Sequence, residues 1–359
     1  MTTNLAVVVG GGGVGKTTVA AALALARARA GARSLVITVD PAQRLADALG
    51  VQVGIDAAPV AIDGVRLHAR MPDSRRSVDQ FADWLFAEHP ATGQRVRNNP
   101  IYRELADALV GMHELVCVAL VNQELESGAY DEVVLDTAPT RHALEFLDYP
   151  TRLVEMLEAR TMQWVAAMAA HASVPLDHPP TTRGLLAWGK RRIQALLGRV
   201  AGTLAIHDVS ALFTDLTAVR ERWLGLLYQI RERLMSDRTR YLVVSTPAAA
   251  ALDDADHLLI ELSRRGQAAS GVLLNRVVDR VPDWLAGLEP GADGALRTLR
   301  DAYLSEYIGR ARQSRQASAR LAQLTSGSVA VGRLPALPTS DPRAILTGLA
   351  DALVDAPLV

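Results

Sequence analysis

Residues 10–17, Gly10-Gly11-Gly12-Gly13-Val14-Gly15-Lys16-Thr17, stand between an apolar run, Leu5–Val9, and a helical pattern, Thr17–Ala30. Strand, Gly-x-x-x-x-Gly-Lys-Thr turn and helix follow one another in a P-loop, where glycines let backbone N–H groups turn inward around phosphate oxygens. The dipole of the following helix adds to the attraction. The lysine of such a loop reaches the β- and γ-phosphates, and its threonine hydroxyl binds Mg²⁺. The stretch predicts that Gly10–Thr18 bind Mg-ATP.

The rarity of lysine supports this prediction. The chain contains 38 lysines and arginines together, yet lysine occurs only at Lys16 and Lys190. Because arginine serves almost everywhere else, the lysine at position 16 looks required. We expect Lys16 to face solvent in the empty site, since it serves the phosphates rather than the core.

Short apolar runs predict the rest of the fold. They lie at Ser34–Val39, Val133–Leu135, Tyr241–Val244, Val272–Leu274 and Val329–Val331, with helical patterns such as Ala255–Arg265 between them. Most are apolar on successive residues, as in parallel strands covered on both faces. Strand alternating with helix predicts an α/β fold with a doubly wound, mainly parallel sheet.

The stretch 151–237 interrupts the alternation, because it contains no convincing strand. Apolar residues recur at helical spacing from Leu212 to Leu234. We predict an all-helical insertion at 151–237 within a P-loop ATPase core formed by 1–150 and 238–359. Within the insertion, Met156, Met162, Met168 and Trp164 could line a groove for an apolar client or pack in an ordinary core.

Two aspartates directly follow predicted strands. Asp40 comes after Ser34–Val39, and Asp136 comes after Val133–Leu135. In isolation such an aspartate is often only the N-cap of the next helix. Ligands of open parallel sheets bind beyond the carboxyl ends of the strands, so beside a P-loop both aspartates are expected to meet the γ-phosphate, the metal or the attacking water.

Composition excludes several other classes of protein. The net charge of −1 offers no basic field for nucleic acid or anionic lipid. One cysteine, Cys117, allows no internal disulfide and no site with two thiolates. The sequence shows neither a signal peptide nor an apolar run of membrane-spanning length. We expect a soluble, cytoplasmic protein without direct membrane insertion.

Three segments together resemble the arsenite-pump (ArsA) and guided-entry ATPase family, which shares its P-loop class with MinD and the nitrogenase iron protein. The P-loop is the first segment. Asp40-Pro41-Ala42 resembles the family's first switch, and the stretch Tyr130–Pro150 is similar to the region of its second. The residues that match the second switch are Asp136, Thr137, Ala138, Pro139, Thr140, Arg141 and His142.

The resemblance implies roles for these residues. Asp40 would orient and polarise the attacking water, and Thr17 and Asp40 would lie at the Mg²⁺. Asp136 would join the Mg²⁺ shell or bind the P-loop threonine. Asn275 would contact the adenine, and the loop Leu334–Asp341, with Pro335 and Leu337, would pack on the adenine ring. The switches would report the ATP state, across a dimer, to the insertion, which forms a groove for tail-anchored membrane proteins in guided-entry members.

The chain also departs from the family. Gly11 stands where the family has a signature lysine, which reaches the partner's nucleotide across the dimer. A homodimer would lack that contact unless Arg141 or another arginine replaces it. The family's zinc-binding Cys-x-x-Cys is absent, so no zinc is expected, and the cysteines that bind arsenite or antimonite in pump members are absent too.

We therefore expect a Mg²⁺-dependent ATPase that converts ATP and water to ADP and phosphate. It would act as a homodimer, or as a heterodimer with a paralogous ATPase, and handle a hydrophobic or membrane-protein client. The alternative is a weakly active regulatory subunit of an unequal pair. An arsenite-pump motor is less favoured, as is a MinD- or ParA-like positioning ATPase, because Ile345–Val359 carries no basic residue for a membrane surface.

Overall fold

The computed structural model describes residues 3–40, 44–100, 102, 112–138, 144–158, 208, 211–212, 214–287, 294–325 and 327–354. The chain divides into two compact units. The first contains Met1–Pro72, Gln123–Leu144 and Ser236–Val359, and the second contains Asp73–Asn122 and Glu145–Met235. Most of the predicted insertion lies outside the described residues, so its boundaries stay a prediction.

The first unit is built on one eight-stranded sheet with the order β3-β4-β2-β5-β1-β6-β7-β8. The strands are β1 (Asn4–Gly10), β2 (Ser34–Thr38), β3 (Ala58–Ile62), β4 (Val65–Arg70), β5 (Glu132–Asp136), β6 (Thr239–Ser245), β7 (Ala269–Val277) and β8 (Val331–Pro335). All neighbours pair in parallel except β3 and β4. The predicted α/β fold with a mainly parallel sheet is confirmed.

Sequence reasoning missed β3 and β4, the hairpin at one edge of the sheet. Asp63 (φ 50°) and Gly64 (φ 79°) form a two-residue turn between them in the left-handed region. An Asp-Gly pair between short apolar stretches is a hairpin signal, so the sequence did contain a clue. At the other edge β8 begins at Val331, so the predicted run Val329–Val331 overlaps it by its last residue.

Helices connect the strands. They are α1 (Lys16–Arg29), α2 (Arg44–Leu49), α3 (Ser74–Leu85), α4 (Pro90–Asn98), α5 (Met112–Ser127), α6 (Tyr149–Glu158), α7 (Arg220–Leu234), α8 (Ala249–Arg264), α9 (Asp283–Ala286), α10 (Gly294–Leu324) and α11 (Pro342–Val354). The alanine-rich α1 is almost wholly buried, because small side chains let it pack on the sheet and on α11 at once. The P-loop therefore leads into the most deeply packed helix of the unit.

The described part of the second unit is helical. The predicted apolar stripe includes the buried face of α7, with Trp223, Leu227 and Ile230 inside. Phe81 stacks on Trp84 and meets the edge of Trp223. Among the described helices of the whole chain, none has the length and apolar character needed to cross a membrane.

Candidate phosphate and metal site

The sheet register brings the predicted site residues to one edge. Strand β5 lies between β1 and β2, so Asp136 is the register partner of both Val8 and Thr38. The P-loop follows β1, Asp40 follows β2, and Asp136 ends β5. Adjacent parallel strands thus place these groups side by side at their carboxyl ends, as ligand sites of open sheets require.

The P-loop backbone is shaped by its glycines and held by Asn275. Gly15 has φ 90°, and a Cβ there would lie 2.6 Å from Asn275 Nδ2, so only glycine fits. The Asn275 amide donates to the Val14 carbonyl at 2.9 Å, and its Oδ1 accepts from the Arg276 N–H at 2.9 Å. Asn275 therefore stabilises the loop directly, a contact that the sequence did not predict.

Lys16 is buried, and the expectation of a solvent-facing lysine is wrong. Its side chain donates from Nζ to the Gly11 carbonyl at 2.9 Å, and the residue is 5% exposed. Burial lowers the pKa of Lys16, while the negative charges of Asp136 and Asp40 raise it. The ammonium is thus folded into the loop, where those carboxylates balance its charge.

Asp136 is a buried carboxyl with a strongly perturbed pKa. Burial raises the pKa of Asp136 to about 6, against the lowering effect of the Thr17 and Thr38 hydroxyls and of Lys16. Thr38 donates its hydroxyl to Asp136 Oδ2 at 2.9 Å. In the described part of the chain, Oδ1 is buried without a hydrogen-bond partner. An oxygen of this kind is available to a metal ion or to a water molecule bound to one.

Asp40 is held near Asp136. Its backbone N–H donates to the Thr38 hydroxyl at 3.1 Å, so Thr38 links both aspartates. Its carboxylate forms an ion pair with Arg44, with 3.1 Å between Oδ2 and Nη1. Sequence reasoning named neither Thr38 nor Arg44, because both matter through their neighbours in space.

A cleft of about 430 Å³ opens over the P-loop, within the roughly 300–1,000 Å³ typical of small-molecule sites. It brings together many of the predicted residues. These are Gly13, Gly15, Lys16, Thr17, Thr18, Asp40 and Thr137. The sequence did not identify the other lining residues, which are Arg44, Asp47, Ala48, Arg276, Pro342 and Ile345.

The residues predicted to contact adenine lie at separate positions in the fold. Asn275 is buried against the loop, and Pro335 closes β8 beside Val277. Leu337 packs against the core, and a Cβ on Gly348 would lie 2.8 Å from it. The cleft is lined instead by Arg276, Pro342 and Ile345, among other residues. Pro342 directly follows the predicted loop Leu334–Asp341, whose role at the adenine stays a prediction.

The chain is similar in sequence to known ATPases. A sequence profile described as Anion-transporting ATPase matches residues 3–181. The ATPase get3 of Schizosaccharomyces pombe is 35% identical over 156 residues, which cover 42% of this chain and 45% of that protein. The match therefore spans less than half the length of that relative, and the same 45% holds for the ATPase get3 of Schizosaccharomyces japonicus.

Longer matches decide the family. The ATPase get3 of Aspergillus terreus is 37% identical over 276 residues, 76% of this chain and 73% of that protein. The chain belongs to the ArsA/get3 ATPase family. The ATPase ARSA2 of Chlamydomonas reinhardtii is a further member, 28% identical over 280 residues, which cover 76% of this chain and 67% of that protein.

By the resemblance, the ArsA/get3 family has a lysine where this chain has Gly11, and the structure shows little space for a side chain there. A Cβ on Gly11 would come too close to Asp254 Oδ2 of α8 for both to keep their places. A lysine at this position would therefore displace the Asp254 carboxylate and meet its negative charge. In this ArsA/get3 member, the Asp254 side chain thus occupies space that a lysine at position 11 would need.

Several residues of the predicted switches lie outside the described residues: Pro41, Ala42, Pro139, Thr140, Arg141 and His142. Of the described ones, Thr137 is buried and donates its hydroxyl to the Val8 carbonyl at 2.8 Å, while Ala138 is partly buried. Thr137 thus ties the start of the second switch to β1. The roles that the ArsA/get3 resemblance implies for all of these residues stay predictions.

The residues at the cleft fit a magnesium ion that also binds phosphate. Hard oxygen donors are present in Thr17 and Asp40, which line the cleft, and in the buried Asp136, whose Oδ1 has no hydrogen-bond partner among the described residues. Within the described ranges, no cluster of three or more His, Cys, Asp or Glu side chains could hold a metal. Mg²⁺ usually takes one or two carboxylates and completes its shell with water and substrate phosphates, which is the arrangement left open here.

The raised pKa of Asp136 predicts a pH-dependent gain in stability for Asp136→Asn. The carboxyl keeps its proton in the folded chain up to about pH 6, whereas the unperturbed pKa is 3.8. Its contribution to stability is therefore present at low pH and is lost as pH rises through about 6. Asparagine carries no charge and keeps an acceptor for Thr38. Without Mg²⁺ and nucleotide, the variant should be more stable than the parent at pH 8 by on the order of 1–3 kcal/mol.

Urea unfolding in EDTA at several pH values from 5 to 8 measures this difference, which should shrink toward pH 5. Asp131→Asn is the control, since Arg33 lowers the pKa of Asp131 to about 2 and its effect should stay flat across the range. An Asp136→Asn variant that is less stable than the parent at pH 8 would contradict the assignment of a desolvated carboxylate.

Proposed function

We propose that this chain binds Mg-ATP in the cleft and hydrolyses it to ADP and phosphate. The observation that carries the proposal is the convergence of the P-loop, Lys16, Thr17, Asp40 and Asp136 at one sheet edge. Family membership supports the same chemistry. Phosphoryl transfer needs mainly positioning and neutralisation of charge, and these groups supply both.

The reaction assigns a task to each side chain. The backbone N–H groups of Gly13–Gly15 and the helix dipole hold the phosphates, and Lys16 leaves the Gly11 carbonyl to bind the β- and γ-phosphates. Mg²⁺, when bound, neutralises phosphate charge. Asp40 orients a water molecule. The water oxygen bonds to the γ-phosphorus, the bond from that phosphorus to the bridging oxygen breaks, ADP keeps the electron pair, and the water proton passes to the released phosphate.

The direct test is release of phosphate by the purified chain with and without Mg²⁺. Turnover that depends on Mg²⁺ and is lost with a P-loop variant supports the proposal. A folded chain that neither binds nor hydrolyses ATP would refute it.

We further propose that the protein acts as a homodimer, or as a heterodimer with a paralogue, on a hydrophobic or membrane-protein client. The family resemblance supports this part.

A second candidate is a weakly active regulatory subunit that needs a paralogue. The observation that favours it is Gly11, whose missing side chain would have to share its space with Asp254. Loss of one charged contact to a transition state typically costs about 10²–10³ in rate. On this alternative, adding a lysine-bearing paralogue from the same genome should raise turnover at least about tenfold.

The matched variant combines Gly11→Lys with Asp254→Asn. In Gly11→Lys alone, the introduced ammonium would pair with Asp254 and would not extend to the nucleotide of a partner subunit. Turnover of the double variant, of the single variants and of the mixture with the paralogue should be compared at equal subunit concentration. If neither the double variant nor the paralogue raises the rate of the lone chain, the regulatory-subunit alternative fails.

Arsenite and antimonite are expected to leave ATP turnover unchanged. Trivalent metalloids prefer about three thiolate ligands, whereas this chain has only Cys117, which is buried. Titration of each metalloid into the ATPase assay checks this. Saturable activation would contradict the prediction, and its persistence in Cys117→Ser would point to an effector site without thiolates.

A further inference from the structure

Arg44 places a guanidinium in the cleft that also contains the P-loop residues. It is the first residue of α2, lines the cleft and keeps 56% of its side chain exposed. Its Nη1 lies 3.1 Å from Asp40 Oδ2. Its charge also reaches the P-loop lysine, since it lowers the pKa of Lys16. Arg44 is therefore near both the side chain assigned to the water and the side chain assigned to the phosphates.

The cleft has a specific need for such a charge. The γ-phosphate carries negative charge in the transition state, and position 11 offers no lysine to a neighbouring subunit. Lys16, Arg44 and Arg276 are the described cations that line the cleft. Arg44 forms an ion pair with Asp40. Its guanidinium therefore contacts the carboxylate assigned to the water and lines the same cleft as Lys16.

We propose that Arg44 supplies in cis the positive charge that stabilises the transferring γ-phosphoryl group. The inference rests on the proposed ATPase function. In the empty site the guanidinium is paired with Asp40. As charge develops on the transferring γ-phosphoryl group, the planar fork of Arg44 turns to donate to its oxygens and leaves the Asp40 carboxylate to the water. Positive charge aimed at the transition state accelerates the reaction without tightening ground-state binding.

The experiment compares Arg44→Ala, Arg44→Lys and a control, Arg320→Ala, in the full-length chain. Arg320 also forms one ion pair with an aspartate, Asp253, at 2.6 Å, but lies on α10. Turnover and KM for Mg-ATP are measured together with affinity for ADP and for ADP with aluminium fluoride, which mimics the transferring phosphoryl group. Melting temperatures establish that each variant is folded.

Arg44→Ala should lower kcat about tenfold or more, change KM less than about threefold, and lose affinity for ADP–aluminium fluoride but not for ADP. Arg44→Lys should recover part of the rate, as should millimolar guanidinium added to Arg44→Ala. Arg320→Ala should behave as the parent. A purely structural role would not produce this separation of kcat from KM or rescue by guanidinium.

An Arg44→Ala variant with parental or higher kcat would overturn the assignment and make Arg44 a restraint on Asp40, while the ATPase function would stand. Equal loss of affinity for ADP and for ADP–aluminium fluoride would also overturn it, because that result describes general binding. A parent chain without ATPase activity would reject the proposed function and this inference together.

Discussion

Lys16→Met should weaken Mg-ATP binding by roughly 10²-fold and reduce turnover to background, while the fold survives. The ammonium provides charged hydrogen bonds to two phosphates, each worth about 1.5–3 kcal/mol. Methionine keeps the length of the side chain and fills the same buried space. It removes the donor to the Gly11 carbonyl, a bond between a charged group and a backbone oxygen. Alanine would in addition leave a cavity, which would confuse a loss of affinity with a loss of packing.

Calorimetric titration with Mg-ATP, phosphate release and a thermal melt should be performed on the same preparations. Lys190→Ala is the natural control, because it removes the chain's other lysine, which lies outside the described residues. Unchanged ATP affinity in a folded Lys16→Met variant would refute the P-loop assignment. A collapse of the melting temperature would instead mean that the buried ammonium chiefly stabilises the carboxylates around it.

Asp40→Asn should bind Mg-ATP nearly as the parent does and hydrolyse it at least about tenfold more slowly. The amide cannot polarise water as a carboxylate does, whereas the P-loop cradle is unaffected. The backbone bond from residue 40 to the Thr38 hydroxyl does not involve the altered side chain and should persist. The change also releases Arg44 from its ion pair. A slower reaction despite the freed guanidinium would therefore separate the role of the water from the role of the positive charge.

Single-turnover kinetics with enzyme in excess over ATP isolates the chemical step from product release. Asp351→Asn is a suitable control, because Asp351 also forms an ion pair with an arginine, Arg29, at 2.6 Å and lies on α11. A parental single-turnover rate in Asp40→Asn would assign the water to another group. Loss of nucleotide binding would show that Asp40 acts mainly at the metal.

The fold class was predictable because its signals are local. Buried parallel strands are apolar on successive residues. The P-loop motif at Gly10–Thr17 indicates within eight residues a turn, the start of a helix and a candidate phosphate site. Asp40 and Asp136 followed from the rule that parallel strands present their carboxyl ends at one edge. The hairpin Ala58–Arg70 was missed because its strands are short and partly exposed, although the Asp63-Gly64 turn was present in the sequence.

The chain sequence by itself thus determined the α/β fold and predicted the glycine-rich loop and the two aspartates as the candidate site. Only the tertiary structure decided how those groups are charged and restrained. Thr38 and Asp136 are 98 residues apart in sequence, yet their side chains share a hydrogen bond of 2.9 Å. The burial of Lys16, the raised pKa of Asp136 and the Arg44–Asp40 pair depend on desolvation and on Coulomb interactions over a few ångströms. These desolvation and Coulomb energies depend on which distant segments of the chain come into contact, and no local sequence pattern predicts them.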